Sequence, residues 1–199
     1  MTPEDIITHS ESTAVLNVFC FPYISHGECD KMVRLALENS NKLHNGSMQK
    51  YTIDIVDVFG DFIKEELLPE LVPCINKLFY FGKENQYTVY TAHVICYASS
   101  SSGEKDLKLH VDDSDITVNI TLEANDLEGC EVEFFGTTEY GNNSLRSFER
   151  LRNKIHPEQG NKIQMDVGNC LIHRGNHPHQ TLLIRRGTRK ALIIWLKKI

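Results

Sequence analysis

The chain contains no CxxC pair, no long apolar run, no internal repeat and no excess of basic residues. Each absence removes a class of protein. The six cysteines, Cys20, Cys29, Cys74, Cys96, Cys130 and Cys170, are dispersed, which argues against a zinc ribbon, a thioredoxin-type redox centre or a disulfide framework. They are expected to be mostly buried free thiols. No stretch approaches the ~18 apolar residues that a membrane-spanning helix needs. The opening residues Met1–Glu11 are polar and acidic, without the basic and apolar regions of a secretory leader. A soluble, intracellular protein of the cytoplasm or nucleus is expected. The balance of 21 Lys+Arg against 27 Asp+Glu, net −6, is a poor match for a phosphate backbone.

What the chain does have is ordinary for a folded protein: 199 residues, 41% hydrophobic and 24% charged. That length suffices for a sizeable core in one domain. Apolar and aromatic residues over Ala14–Ile24 read as a strand. Ser25 and Glu28 then form a capping-box pattern ahead of a helix over Glu28–Asn39. Asn39–Gln49 is polar and turn-like. Between Asp61 and Phe81 the apolar residues recur at three and four, which predicts one amphipathic helix, or two broken near Pro69 or Pro73.

Beyond Gly82 the period changes to two. Strands are expected at Tyr87–Ala98, Leu107–Val111, Asp115–Leu122, Glu131–Phe135, Lys162–Asp166, Cys170–His173, Gln180–Ile184 and Lys190–Lys197. Ser99–Ser102 reads as a loop. Gly136–Gly160 is a long loop carrying Arg146, Arg150, Arg152 and Lys154, a length that is usually functional or mobile. The expectation is a mainly β protein with N-terminal helices: a helical part at about 14–82, and a sandwich or barrel at about 87–198, within a single domain spanning 1–199.

The nine histidines carry the chemical signal. In Lys108-Leu-His110-Val-Asp112 the strand period puts His110 and Asp112 on one face, where they can grip one metal ion. Asp115 shares that parity but reads as a turn residue. His173, His177 and His179 are three candidates for a further ligand. Two His and one carboxylate on one face of a metal leave three positions open, a set that suits non-haem Fe(II) activating O2. Arg189 opens the last apolar strand, and a guanidinium facing a pocket there would be a buried charge in need of a counter-charge. Arg185 and Arg186 read as solvated charges beside a turn at Gly187, and Arg189, ten residues after His179, is expected two strands along and pointing into the same pocket. In Ile116–Leu122 the residues alternate, so that Thr117, Asn119 and Thr121 share one face. That face would line the pocket if the apolar face packs elsewhere.

The combination of His110-x-Asp112 with His179, Gly187, Arg189 and Trp195 at fixed spacings resembles the 2-oxoglutarate/Fe(II)-dependent oxygenase superfamily, in particular its prolyl 4-hydroxylase-like group. Phe21–Met32 is similar to that family's entry strand and helix, and Gly129-Cys-Glu-Val-Glu-Phe134 to its "G-G-x-x-x-F" turn and strand. Val132 stands where the family often has Thr. The resemblance runs from about Val15 to Lys197. It implies a double-stranded β-helix (jelly-roll) core. It implies His110, Asp112 and His179 as iron ligands, Arg189 as the partner of the distal carboxylate of 2-oxoglutarate, and Tyr97, Thr121 and Asn119 as further cosubstrate contacts. His173 and His177 are read as pocket-lining groups or as ordinary loop residues. The implied cofactors are Fe(II), 2-oxoglutarate and O2, with ascorbate as an accessory, and the implied reaction is hydroxylation of a C–H bond with release of succinate and CO2.

A peptidyl substrate such as proline is the leading expectation, with a small molecule as alternative. The spacing after His179 and the net charge count against a nucleic acid, and no membrane partner is expected. Retention of Asp112 counts against halogenation. A catalytically idle jelly-roll binding module is the alternative from another class, disfavoured because all four polar residues of the motif are present.

Overall fold

The computed structural model describes residues 11–12, 17–38, 52–80, 82–100, 103–135 and 160–199. Three expectations lie wholly or largely outside them: the turn Asn39–Gln49, the first residues of the strand expected at Ala14–Ile24, and most of the loop Gly136–Gly160.

The first part of the chain is mixed. Strands β1 (Glu11–Ser12) and β2 (Val18–Pro22) pair with each other, and α1 follows at His26–Glu38. The start of α1 is set by the foreseen capping box. The Ser25 hydroxyl accepts from the Glu28 N–H at 3.3 Å, and the Glu28 carboxylate accepts from the Ser25 N–H at 3.0 Å. A short strand, β3 (Thr52–Asp54), was not foreseen. The expected helical stretch begins earlier than its apolar stripe, with α2 at Val56–Phe62. A π-helical turn at Ile63–Leu67 joins it to α3, Leu68–Tyr80. The break expected near Pro69 is this π turn. Proline has no N–H to donate, and a wider turn just before it absorbs the mismatch. Pro73, by contrast, lies inside α3 without ending it.

The remaining strands are β4 (Tyr87–Ala98), β5 (Leu107–His110), β6 (Ile116–Gly129), β7 (Val132–Phe134), β8 (Asn161–Ile163), β9 (Asn169–Arg174), β10 (His179–Thr181) and β11 (Ile184–Lys198). They form two antiparallel sheets, a major one in the order β1-β2-β9-β6-β11-β4-β3 and a minor one in the order β5-β10-β7-β8. From β4 onward the chain alternates between the sheets except at β7 and β8, which pair within the minor one; this is the double-stranded β-helix. Alternation corrects two details. Gly187 is not a turn between two strands but a bulge inside β11, with φ +80° and register shifts on either side against β6. Arg189 lies one strand beyond His179, not two, and the two reach the interior from opposite sheets.

The major sheet is buried on both faces. Ile116, Val118, Ile120 and Leu122 of β6, with Leu192, Ile194 and Leu196 of β11, pack against Met32 and Val33 of α1 and Leu71, Ile75 and Phe79 of α3. Each such side chain contributes about 1.5–3 kcal/mol on burial. The opposite face of the same strands, carrying Thr117, Asn119, Thr121 and Arg189, turns toward the minor sheet and is buried too. Within this interior, Val132, Phe134, Met165 and Leu171 form one apolar cluster, and Tyr97, Cys130, Ile184 and Ala191 belong to another.

The bulge at Gly187 is testable. A Cβ there would lie 2.0 Å from the Asn125 carbonyl oxygen, at a φ that L side chains rarely adopt. Gly187→Ala is expected to lower stability by about 1–3 kcal/mol, read as a lower urea midpoint with an unchanged m-value. An unchanged midpoint would show that β11 re-registers freely.

Candidate metal centre

His110 ends β5, Asp112 follows two residues on, and both side chains line the cleft between the sheets. Two loops are tied together here. The Asp112 N–H donates to the Gly175 carbonyl at 2.8 Å, and Gly175 packs so closely that a Cβ would lie 2.1 Å from the Ser114 oxygen. His179 opens β10 and is the direct antiparallel partner of His110 on β5. Cross-strand partners bring their side chains together, and these two rings lie 4.3 Å apart between centroids. One ligand atom from each of His110, Asp112 and His179 lies within 4.8 Å of the others.

The imidazoles are oriented by the backbone. The Nδ1–H of His110 donates to the Lys108 carbonyl at 2.6 Å, and that of His179 to the His177 carbonyl at 2.9 Å. Each Nε2 is thereby left as a lone pair facing Asp112, at 3.4 Å from Oδ1 for His110 and 3.8 Å from Oδ2 for His179. Asp112 is itself held. The Thr117 hydroxyl donates to its Oδ2 at 2.6 Å, and Thr117 in turn pairs with the Ser114 hydroxyl at 2.8 Å. Phe134 lies under the group, stacked on the His179 ring at 5.4 Å and 25°.

Burial and charge set the protonation states. Burial opposes the Asp112 charge, but His179, His110 and His173 outweigh it and hold the carboxyl well below the usual carboxylate range. Burial, helped by His110, pushes His179 down to about 4. Burial likewise takes His173 to about 3 and His177 to about 4. Burial opposes a charge on His110 as well, but the neighbouring Asp112 carboxylate and the Lys108 carbonyl outweigh it and raise His110. An ionised Asp112 beside the neutral imidazole of His179 is a donor pair that a divalent cation can use without first displacing a proton from either.

Arg189 enters from β11 and is 1% exposed. Its Nε and Nη2 donate to the Thr121 hydroxyl at 3.2 and 3.1 Å, and Nη2 also reaches Asn119 Oδ1 at 3.1 Å. No carboxylate among the described residues pairs with it, and its buried Nη1 has no hydrogen-bond partner. Tyr97 lies beside it, 5.8 Å from guanidinium carbon to ring centroid, with its hydroxyl 3.3 Å from the Thr181 hydroxyl. Burial pushes the Tyr97 phenol up to about 12, so it stays protonated.

The structure thus gathers His110, Asp112 and His179 at one point, and Arg189, Asn119, Thr121 and Tyr97 around another. Asp115 turns away and accepts the Lys198 N–H at 2.8 Å. Arg186 is exposed and pairs with Glu128 at 3.1 Å. Sequence reasoning did not single out Thr117 and Ser114 as partners of Asp112, Phe134 as the plate under the histidines, or Met165, whose sulfur lies 3.5 Å from Arg189 Nη2. The parity of Thr117 on its strand was the available signal. Nothing local marks the others.

No family model matches the chain. Two curated relatives do. One is a 2-oxoglutarate and iron-dependent oxygenase domain-containing protein, CP2, from Arabidopsis thaliana, 25% identical over 190 residues, covering 90% of this chain and 45% of the relative. The other is 2-oxoglutarate and iron-dependent oxygenase domain-containing protein 2 from Xenopus tropicalis, 23% identical over 201 residues, covering 98% and 53%. The chain spans about half the length of these relatives. Among solved structures it resembles a 2OG-Fe(II) oxygenase-family oxidoreductase from Burkholderia pseudomallei, TM-score 0.66, 12% identical, covering 98% of this chain and 90% of that one. The carbocyclase SnoK of nogalamycin biosynthesis gives 0.65 at 13% identity, covering 98% and 85%. A Pseudomonas putida prolyl-4-hydroxylase gives 0.55 at 12%, covering 100% and 97%. The resemblance read from the motifs is borne out in these names, and the jelly-roll fold is shared.

Two outcomes are expected. Thr117→Val frees the Asp112 carboxylate and weakens binding of Mn(II) or Co(II) by about 10–100-fold in calorimetric titration, while Thr117→Ser retains it. Separately, the folded-state values of His173, His177 and His179 lie below the ordinary 6.5. The unfolded chain therefore binds more protons through the window from about 6.5 down to about 4, and stability is lost as pH falls through it. Depressed Asp112 adds to the loss at lower pH, and raised His110 alone opposes it. The urea midpoint of the metal-free protein should drop between pH 7 and pH 5. A flat midpoint would contradict the buried neutral histidines.

Proposed function

We propose that this relative of the 2-oxoglutarate and iron-dependent oxygenases is itself an Fe(II)- and 2-oxoglutarate-dependent oxygenase, with residues 1–199 as a single domain. In this reading His110, Asp112 and His179 hold the iron, and Arg189 receives the distal carboxylate of the cosubstrate. The observation that supports it most is the Arg189 guanidinium: buried, without a carboxylate partner among the described residues, and with Nη1 unbonded. A buried cation left unpaired costs several kcal/mol. A dicarboxylic cosubstrate supplies the missing charge and can accept from Nη1.

When bound, the iron and its cosubstrate supply the oxidation of a C–H bond by O2, with release of succinate and CO2. The chain's own residues place the parts. Thr121 and Asn119 accept from Nε and Nη2, which pins the guanidinium and leaves Nη1 as the free donor. The protonated Tyr97 hydroxyl offers a second donor beside it. Thr117 holds Oδ2 of Asp112, which would leave Oδ1 free to bind the ion. Two imidazoles and one carboxylate leave three positions for cosubstrate and O2. Fe(II), 2-oxoglutarate and O2 are the proposed cofactors, with ascorbate as the reductant that keeps the iron ferrous.

For the substrate, the reading is a peptidyl residue such as proline, supported by the motif resemblance and by the likeness to the Pseudomonas putida prolyl-4-hydroxylase. The likeness to SnoK, at a higher TM-score, favours a small molecule as the second reading. Succinate formation from 2-oxoglutarate should require Fe(II) and vanish in His110→Ala; full turnover in that variant would sink the iron assignment. Arg189→Gln is expected to raise KM for 2-oxoglutarate by at least about tenfold, with the loss of one charge-assisted contact. Mass spectrometry of candidate peptides locates the gain of one oxygen and decides between proline and other positions.

A further inference from the structure

Between β6 and β7 the chain crosses from the major sheet to the minor one through two residues with positive φ, Gly129 at +82° and Cys130 at +62°. The first has to be a glycine, since a Cβ there would lie 2.3 Å from the Leu183 carbonyl oxygen. The second does not have to be a cysteine. A left-handed φ suits glycine and strains a residue that carries a Cβ. The cysteine backbone is tied to the same carbonyl, with its N–H donating to Leu183 O at 3.4 Å, so the turn sets the direction of its side chain.

That side chain is 2% exposed and clusters with Tyr97, Ile184 and Ala191. Arg189 is beside it. Burial pushes the Cys130 thiol up, and the Arg189 guanidinium, as a neighbouring charge and hydrogen-bond donor, pulls the other way without overcoming it. The thiol therefore stays protonated and supplies no counter-charge. Nη1 of the buried Arg189 still has no partner. A second sulfur, that of the buried Met165, lies 3.5 Å from Nη2, and the Tyr97 ring lies 5.8 Å from the guanidinium carbon. Two sulfurs and a phenol thus flank a cation that they do not neutralise. What they do determine is how much space an anion finds beside it.

We propose that Cys130 is a specificity-determining residue for the cosubstrate: its side chain closes the distal end of the site, so that Arg189 accepts the tail of a five-carbon 2-oxo diacid and refuses the six-carbon homologue, 2-oxoadipate. The inference rests on the reading of Arg189 as the receptor of the distal carboxylate. The two acids share the keto-acid head and the terminal carboxylate and differ by one methylene. With the head at the metal and Arg189 pinned by Thr121 and Asn119, the extra methylene competes with the Cys130 side chain for the same space. Discrimination of one methylene in a pocket is worth about 10–200-fold. Size carries the effect, not thiol chemistry.

The test compares two dissociation constants without turnover. The Mn(II)-loaded protein is titrated calorimetrically with 2-oxoglutarate and with 2-oxoadipate in the absence of O2. The unsubstituted chain is expected to bind 2-oxoglutarate at least about tenfold more tightly. Cys130→Gly, which suits the backbone, should narrow that ratio by about tenfold, and Cys130→Ser, of nearly the same size as cysteine, should keep it. Cys130→Ala removes only the sulfur and should narrow the ratio as well, which preserves the test if the glycine variant does not fold. A role in packing alone would weaken both acids alike; an unchanged ratio in the glycine and alanine variants overturns the proposal, as does equal binding of both acids by the unsubstituted chain. Arg189→Gln separates the two readings. If it weakens 2-oxoglutarate binding while the Cys130 variants leave the ratio untouched, only the size selection falls. If it leaves binding intact, or if the unsubstituted chain binds neither acid, the cosubstrate reading falls and the size selection with it.

Discussion

A strand buried on both faces has to satisfy two unlike environments with one backbone, and β6 is where this protein does so. Its even positions, Ile116, Val118, Ile120 and Leu122, go to the helices, and its odd positions, Thr117, Asn119 and Thr121, go to the interior. Because the period is two, a slip of one residue would put the hydroxyls against α1 and the branched chains into the site. Neighbouring β11 obeys the same division, with Leu192, Ile194 and Leu196 outward to the helices and Arg189 inward. The apolar packing that stabilises the sheet thereby also sets the side on which the polar residues meet. Core and site are two consequences of one register.

Two opposite buried charges define the interior. Asp112 is held by the Thr117 hydroxyl, and His110, His173 and His179 turn Nε2 toward it. Arg189 is half compensated: two neutral oxygens hold it, and one nitrogen is left with nothing. The carboxylate end is thus arranged to take a cation and the guanidinium end to take an anion. A ligand spanning both ends, with a metal-binding head and a carboxylate tail, matches that polarity. The histidines of the first end stand on the minor sheet and Arg189 on the major one, so the packing of the two sheets sets how far apart the ends lie.

Much of this was legible in the chain. The strand period placed His110 and Asp112 on one face, and the change of period after Gly82 divided helices from strands. The capping box marked the start of α1. The motif spacing distinguished His179 from its neighbours, and the alternation of Ile116–Leu122 put Asn119 and Thr121 with Arg189. The rest failed for identifiable reasons. A glycine between two apolar runs reads as a hairpin turn, and only the partner strand shows that Gly187 is a bulge. Two prolines in one stripe look alike in sequence, yet Pro69 follows a π turn while Pro73 is absorbed. His173 and His177 read equally as loop residues, since nothing local separates a buried imidazole from an exposed one.

What the sequence determined by itself was therefore local: donor types, the parity of residues on each strand, the cap of a helix, and the spacing between anchors. These follow from backbone geometry within a few residues. What only the tertiary structure decided was which strands share a sheet, that His179 and Arg189 approach from opposite sides, that Thr117 holds Asp112, and that a third imidazole aims at the same carboxylate. Those depend on pairings between segments far apart in the chain. Their energies are sums over many weak contacts, so no single residue announces them, and the site they assemble exists only when the two sheets are packed together.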